Sequence, residues 1–258
     1  QVDLNGVPFL RNFPPAWLIE PYAHHMLGSY EDELEAARQG IDRFPEFLEL
    51  RILELRALAA MGRSTELEPL LAHVERMEPG GLDYTRTPGA VLREVAWELA
   101  RFGTDQESRA VAERSLNWYL ARDPERYQRA RAEALLLLDR TEEALAILGP
   151  LVEQGTENVF ALIPRRGLYG VALARSGERE GAEAEALWLE DVGLPYLSGS
   201  NTRWRAAIVA HLGRKDEAVR LLQKAFEEGQ DYIYNSAFPY LKPLWRYGPF
   251  ERLIEPKG

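Results

Sequence analysis

The chain has 258 residues, of which 46% are apolar and 28% charged, so it is long enough for one large domain or a repeat array and apolar enough to fold. Its formal net charge of −10 argues against nucleic acid or an anionic membrane as the main partner, because both require a positive surface. The sequence has no cysteine, which excludes disulfides, thiol nucleophiles and thiolate zinc sites.

No apolar run approaches the roughly 18 residues that a membrane-spanning helix needs, so we expect no membrane insertion. The sequence begins with Gln1 rather than Met and shows no signal peptide, which indicates a processed chain or a piece of a longer one. We expect the cytoplasm as its compartment, with a secreted or cell-surface location after N-terminal processing as the alternative. The absence of cysteine is compatible with either compartment.

Residues 1–13 lack a helical period and predict an extended N-terminal arm. Nothing in the helical segment that follows requires this arm, so its apolar side chains are candidates for self-association with another copy of the chain. These side chains are Val2, Leu4, Val7 and Phe9.

Residues 14–230 repeat a helix–turn–helix pattern. The six predicted turns recur at intervals of 34, 41, 36, 38 and 36 residues, at Gly28, Gly62, Gly103, Asp139, Gly177 and Gly213. An apolar residue stands four positions before five of these turns, as Leu58, Leu99, Leu135, Leu173 and Val209. A small residue, which lets two helices approach closely, stands seven positions before four of them, as Ala96, Ala132, Gly170 and Ala206.

This pattern resembles the tetratricopeptide-repeat (TPR) family, whose unit has the length of the first interval. The resemblance implies an all-α fold, a right-handed solenoid of about six helix pairs in which stacking buries the apolar stripe of each helix. Glu33 and Ser108 depart from the pattern, because the family carries a small apolar residue there. Pro150 falls inside the second helix of the fourth pair, where we expect a kink or a shortened helix.

Residues 231–258 predict a C-terminal cap with a capping helix, namely a short helix broken by prolines and then a final amphipathic helix near residues 249–254. The end of the sequence, including "AAIVAHLGRKDEAVRLLQKAFEEGQDY" and "LKPLWRYGPFERLIEPKG", resembles the C-terminal repeat region of large bacterial regulators. In those proteins the repeats follow a serine/threonine kinase, winged-helix or cyclase domain. No such domain occurs in this sequence, so the resemblance implies an interaction or regulatory module.

No pattern predicts a catalytic site, a metal site or a cofactor. His24 and His25 point about 100° apart on one helix, so they cannot chelate one ion together. The glycines of residues 78–89 lack the Lys-Ser/Thr and the preceding strand of a phosphate-binding loop. We therefore expect no enzymatic activity; a site inside the solenoid would instead appear as a deep pocket with several strongly shifted carboxylates.

Three arginines stand ten residues before a turn, namely Arg93, Arg129 and Arg203. The TPR resemblance implies that this position faces a concave groove, where a guanidinium can pair bidentately with a carboxylate. The hypothesis is therefore an acidic or C-terminal peptide as the ligand. The alternative is that these arginines face solvent or pair with nearby glutamates.

The sequence thus favours a non-catalytic helical-repeat scaffold that binds protein or peptide partners through its concave surface and its ends. The alternative is a structural subunit that assembles with copies of itself into a head-to-tail oligomer or filament, using the N-terminal arm and the solenoid ends.

Overall fold

The computed structural model describes residues 8–79, 87–123, 125–156, 158–194, 196–230 and 237–255. All regular secondary structure in these ranges is helical, which confirms the predicted all-α class. The chain divides into two compact units, whose described residues lie within 8–122 for the first unit and within 123–255 for the second unit.

The first unit consists of α1 (Pro8–Arg11), a 3-10 helix (Pro14–Leu18), α2 (Ile19–Leu27), α3 (Tyr30–Arg43), α4 (Leu48–Ala60), α5 (Ser64–Val74), α6 (Pro88–Phe102) and α7 (Asp105–Leu120). The second unit consists of α8 (Gln128–Leu137), α9 (Thr141–Glu153), α10 (Val159–Ser176), α11 (Arg179–Asp191), α12 (Ser200–His211), α13 (Lys215–Glu227), a second 3-10 helix (Pro239–Leu244) and α14 (Gly248–Ile254).

Each of the six predicted turns joins two consecutive helices that pack against each other, from α2 with α3 to α12 with α13. The first helices of successive pairs also pack together, α4 against α6 in the first unit and α10 against α12 in the second unit. Because the turns are short, the two helices of a pair run antiparallel, so each pair is a helical hairpin. A solenoid running through the whole chain stays a prediction.

Helix α4 lies at the centre of the first unit and packs against α3, α5 and α6. Its residues 52–59 are all buried, and apolar residues occur on every side of the helix. Such a helix has no polar face to present to water and must be enclosed by its neighbours. Its charged side chains therefore need partners inside the core.

Two glycines allow α10 and α12 to pack closely in the second unit. A Cβ added at Gly167 would lie 2.3 Å from Cδ2 of Trp204, and one at Gly170 would lie 2.4 Å from Cδ1 of Ile208. The Trp204 ring in turn lies 5.2 Å from the ring of Phe238 and 5.3 Å from that of Tyr240, between ring centres. The absence of side chains at these two positions of α10 thus creates the space that Trp204 and Ile208 fill.

At three places the structure differs from the sequence-based expectation or adds detail to it. Helix α9 continues through Pro150 to Glu153, so the proline does not shorten it. Asp139 adopts φ of 58°, the left-handed conformation that glycine adopts at the corresponding position of other turns, as in Gly213 with φ of 87°. Aspartate tolerates this region better than most residues. Within the predicted extended arm, Pro8–Arg11 form one helical turn.

The described part of the C-terminal segment lies against the last hairpin. Its 3-10 helix packs on α12, and α14 packs on α13. The hydroxyl group of Tyr247 donates a hydrogen bond of 2.5 Å to Asp216 on α13. Residues 231–236 and 256–258 of the predicted cap are outside the described residues.

Candidate functional site

The three arginines predicted to bind a peptide have different surroundings. Arg93 on α6 is only 9% exposed, and its guanidinium lies 5.3 Å from the ring centre of Trp97. Arg129 on α8 is exposed, and its Nε lies 3.6 Å from Oε1 of Glu133. The guanidinium of the half-buried Arg203 on α12 lies 4.6 Å from the ring centre of Phe238.

These three arginines are divided between the two units. Arg93 belongs to the first unit, whereas Arg129 and Arg203 belong to helices of the second unit that both pack against α10. Of the three, only Arg129 is exposed. The acidic-peptide site stays a prediction.

The predicted self-association residues fall mostly outside the described part of the chain. Val2, Leu4 and Val7 are not described, and Phe9 lies in α1 without a described side chain. The backbone next to Phe9 is attached to α3. The guanidinium of Arg43 donates to the backbone oxygen of Arg11 at 3.0 Å and to Oδ1 of Asn12 at 2.6 Å. Self-association through the arm stays a prediction.

A cluster of charged and polar side chains lies in the core of the first unit, and the sequence pattern did not predict it. Four helices contribute one residue each: His25 on α2, Glu33 on α3, Arg56 on α4 and Glu98 on α6. None of the four is more than 4% exposed. We call these four residues the buried polar cluster.

The contacts of the buried polar cluster form a chain. Nδ1 of His25 lies 2.8 Å from Oε2 of Glu33, and Nε2 of the same ring lies 3.5 Å from Oε1 of Glu98. The Nε–H group of Arg56 donates to that same Glu98 oxygen at 2.9 Å. The cluster therefore joins both helices of the first hairpin to the first helices of the next two hairpins.

Burial shifts the pKa values of the cluster in directions that indicate where its protons lie. Desolvation raises the pKa of Glu33 from 4.5 to about 9, although Arg56 opposes this shift. Desolvation, assisted by Arg56, lowers the pKa of His25 from 6.5 to about 2. Desolvation also raises the pKa of Glu98, and Arg56 again opposes the shift.

We infer the protonation state at neutral pH from these contacts and from the directions of the pKa shifts. Arg56 keeps its charge and is paired with the Glu98 carboxylate that it contacts, since a buried guanidinium requires a counterion. Glu33 is then a neutral acid that donates a hydrogen bond to Nδ1 of His25, and the Nε2–H group of the neutral imidazole faces Glu98. The four residues together have no net charge, which lowers the cost of burying so many ionisable groups.

Tyr30 packs beside the cluster, with its ring centre 5.5 Å from that of His25 and 5.8 Å from that of Phe102. Burial, with a further contribution from Glu98 and Glu33, raises the pKa of Tyr30 to about 12. Strongly shifted groups of this kind are a feature of active sites. Because the four cluster residues are almost completely covered, a substrate cannot reach them, and the arrangement is suited to holding helices together.

Two departures from the repeat pattern have a structural explanation. The carboxyl group of Glu33 occupies the position where each of the last three hairpins has an alanine, and its partner is His25, eight residues earlier. Ser108 occupies the equivalent position in the third hairpin and donates from Oγ to the backbone oxygen of Ala96 at 2.9 Å. Each polar residue thus pairs within its own hairpin.

Helix α2 has an apolar side that is not buried in the first unit. Pro21 and His25 face the core, whereas Ile19 is 55% exposed and Leu27 59% exposed on the other side. At the helical period, Ile19 and Leu27 lie on one stripe with three partly exposed residues. We call the whole stripe the outer α2 face, and its members are Ile19, Tyr22, Ala23, Met26 and Leu27.

Carboxylates lie along one edge of the outer α2 face. His24 is next to Leu27 around the helix, and its ring atom Nε2 lies 3.9 Å from Oε1 of Glu20. The other ring nitrogen, Nδ1, lies 4.0 Å from Oδ2 of Asp32 in the first turn of α3. This edge therefore carries two carboxylates and one imidazole.

Within the described ranges, no helix is both long and apolar enough to cross a membrane. Nor do the described histidine, aspartate and glutamate side chains form a group of three or more that could hold a metal ion. No family model matches the sequence, and no curated protein sequence is significantly similar to it.

Proposed function

We propose that the chain is a non-catalytic helical-repeat scaffold that binds other proteins, with its hairpins stacked as a TPR-like right-handed solenoid. The observation that carries this proposal is the outer α2 face, where two large aliphatic side chains, Ile19 and Leu27, are more than half exposed. Contiguous exposed apolar surface on a helix is unfavourable in water and is typical of an interaction site. The buried polar cluster supports this role, because it attaches α2 to the hairpins behind it.

Site-specific photo-crosslinking in cells that produce the protein tests this function. A photoreactive phenylalanine at position 27 should yield a discrete adduct with another protein, and the same group at position 113 should not. Glu113 is the control because it is exposed on α7. If positions 27 and 113 give the same adducts, or if position 27 gives none, the scaffold proposal fails at this surface.

A second candidate function is self-assembly, which the same exposed face of the first hairpin also favours. A second copy packed on this face would bury Ile19 and Leu27, and repeated head-to-tail contacts would produce a filament. Light scattering at high protein concentration tests it, with and without residues 1–13. A species that stays monomeric in both cases contradicts self-assembly, whereas oligomers lost on deletion support it.

A further inference from the structure

We propose that the outer α2 face binds a basic amphipathic helix of a partner protein. This inference rests on the proposed scaffold function and specifies the chemistry of the partner. Its two supports are the shape of the apolar stripe and the charge of the stripe's edge.

The shape of the stripe fits a helix. Ile19, Ala23 and Leu27 are spaced four residues apart, and Tyr22 and Met26 extend the stripe on one side. Helix α2 has nine residues and is therefore about 14 Å long. An apolar stripe of this length matches two to three turns of a partner helix whose own apolar side chains follow the same spacing.

The charge of the edge determines which helix fits. Glu20 and Asp32 place two carboxylates on the Leu27 side of the stripe, with the His24 imidazole between them. The neighbouring Glu31 differs, because its carboxylate lies 3.0 Å from a guanidinium nitrogen of Arg63. Lysine or arginine next to the apolar residues of a partner helix would lie against Glu20 and Asp32, which favours a basic partner over an acidic one.

Charge also favours a basic partner over a second copy of this chain. The whole chain has a formal net charge of −10, so two copies repel each other at long range. Helix α3, which begins beside the stripe, has the exposed residues Glu31 and Asp32 in its first turn. A second copy would thus bring further acidic surface toward an edge that is already acidic.

Two synthetic peptides of about 18 residues serve as probes, long enough to form a helix on binding. Both have leucine at every third or fourth position; the first has lysine beside the leucines and the second has glutamate there. Fluorescence anisotropy measures the affinity of each peptide for the full chain. The lysine peptide should bind at least about tenfold more tightly than the glutamate peptide.

Matched variants locate the binding site. Leu27→Gln should weaken binding of the lysine peptide by about tenfold, whereas Leu187→Gln should change it less than about twofold. Leu187 is the control because it is a leucine on α11 with 57% exposure, close to the 59% of Leu27. The double variant Glu20→Lys/Asp32→Lys should reverse the peptide preference, while Glu113→Lys should leave it unchanged.

Equal affinity for the two peptides, or equal effects of the two leucine substitutions, overturns the basic-helix proposal. Sedimentation of the chain alone provides a further outcome: a dimer lost in Leu27→Gln would assign the face to a second copy and also overturn it. Failure of this inference is distinguishable from failure of the scaffold function. If position 27 gives a specific crosslink but the chain binds the two peptides equally well, the interaction surface is retained. Only the basic charge of the partner is then rejected.

Discussion

The two units differ in how deeply charged side chains are buried between their helices. In the first unit, four helices meet at buried ionisable side chains, and Arg56 is 1% exposed in the middle of them. In the second unit, α10 and α12 meet where Gly167 receives the ring of Trp204. Close fits against glycine occur in both units, since a Cβ added at Gly89 in the first unit would lie 2.7 Å from the Tyr119 ring. The pairing of fully buried charges is therefore what distinguishes the first unit.

Arginines show the difference most directly. Arg56 in the first unit contacts Glu98 in the core, with both side chains at most 3% exposed. Arg166 in the second unit pairs with Glu185 at 3.0 Å, but its side chain is 25% exposed, and its guanidinium lies 4.4 Å from the ring centre of Trp188. Water reaches the second pair and not the first, so we expect unequal costs when either is broken.

The largest effect is expected for Arg56→Met. Removing the guanidinium leaves the Glu98 carboxylate buried without its counterion, which costs about 3–5 kcal/mol of unfolding free energy. Urea unfolding measures the loss, and hydrogen exchange should place it in α2, α3, α4 and α6. Arg166→Met is the matched control and should cost about 1–2 kcal/mol, since Glu185 remains partly hydrated. Equal costs for the two substitutions would remove the distinction between the units.

The next largest effect is expected from pH, and it belongs to the first unit. In the folded state, Glu33 with a pKa of about 9 and His25 with a pKa of about 2 together hold one proton between these pH values. In the unfolded chain, with pKa values of 4.5 and 6.5, they hold two protons below pH 4.5, one between 4.5 and 6.5, and none above. The pair's contribution to stability is therefore greatest between pH 4.5 and 6.5.

Above pH 6.5 folding takes up a proton, so stability should fall as pH rises, by about 1.4 kcal/mol per pH unit up to about pH 9. Below pH 4.5 folding releases a proton, so stability should fall as pH falls. Urea unfolding at pH 5.5, 7.0 and 8.5 measures the upper slope. Glu33→Gln keeps a donor toward His25 without a titrating group, so it should remove the decline in stability above pH 6.5. An unchanged decline in the variant contradicts the assignment of the bound proton to Glu33.

A smaller effect is expected for Gly167→Ala in the second unit. The added Cβ would lie 2.3 Å from Trp204, whose ring is held by Phe238 and Tyr240, so it cannot move aside freely. Overpacking costs about 1–3 kcal/mol, and the better helix propensity of alanine returns about 1 kcal/mol. We therefore expect a net loss of about 1 kcal/mol in thermal or urea unfolding.

Gly181→Ala is the control for this prediction. Its added Cβ would lie 3.1 Å from the flexible methyl end of Leu173, so helix propensity should dominate and the variant should be neutral or slightly more stable. If Gly167→Ala is as stable as Gly181→Ala, the close fit of Trp204 against α10 does not contribute to the packing of α10 against α12.

The smallest effects are expected for two surface leucines, one in each unit. Leu27 in the first unit and Leu187 in the second are both more than half exposed, so Leu27→Gln and Leu187→Gln should each change the unfolding free energy by less than about 0.5 kcal/mol. Thermal unfolding measures the change. A larger loss in Leu27→Gln would mean that this leucine contributes to folding, which contradicts its assignment to a free interaction surface.

Local patterns predicted the positions of the helices but not the partners of the polar residues. The turn residues and apolar spacing predicted where each hairpin reverses, because turn conformation and helical period depend on residues close in sequence. They did not predict that Arg56 would contact Glu98, which is 42 residues away. The available signals were His25 and Glu33, which look like an ordinary helix histidine and a break in the repeat until they are seen in contact.

By itself the sequence determined the all-helical class, the six reversals and the overall acidity, since each follows from composition or from neighbours within one or two helical turns. The tertiary structure decided which ionisable groups lie in the core, because His25, Glu33, Arg56 and Glu98 come from four separate helices. It also decided that α2 turns a histidine inward and leucine and isoleucine outward. A residue's burial depends on which distant surface covers it, and that is a property of packing rather than of local sequence.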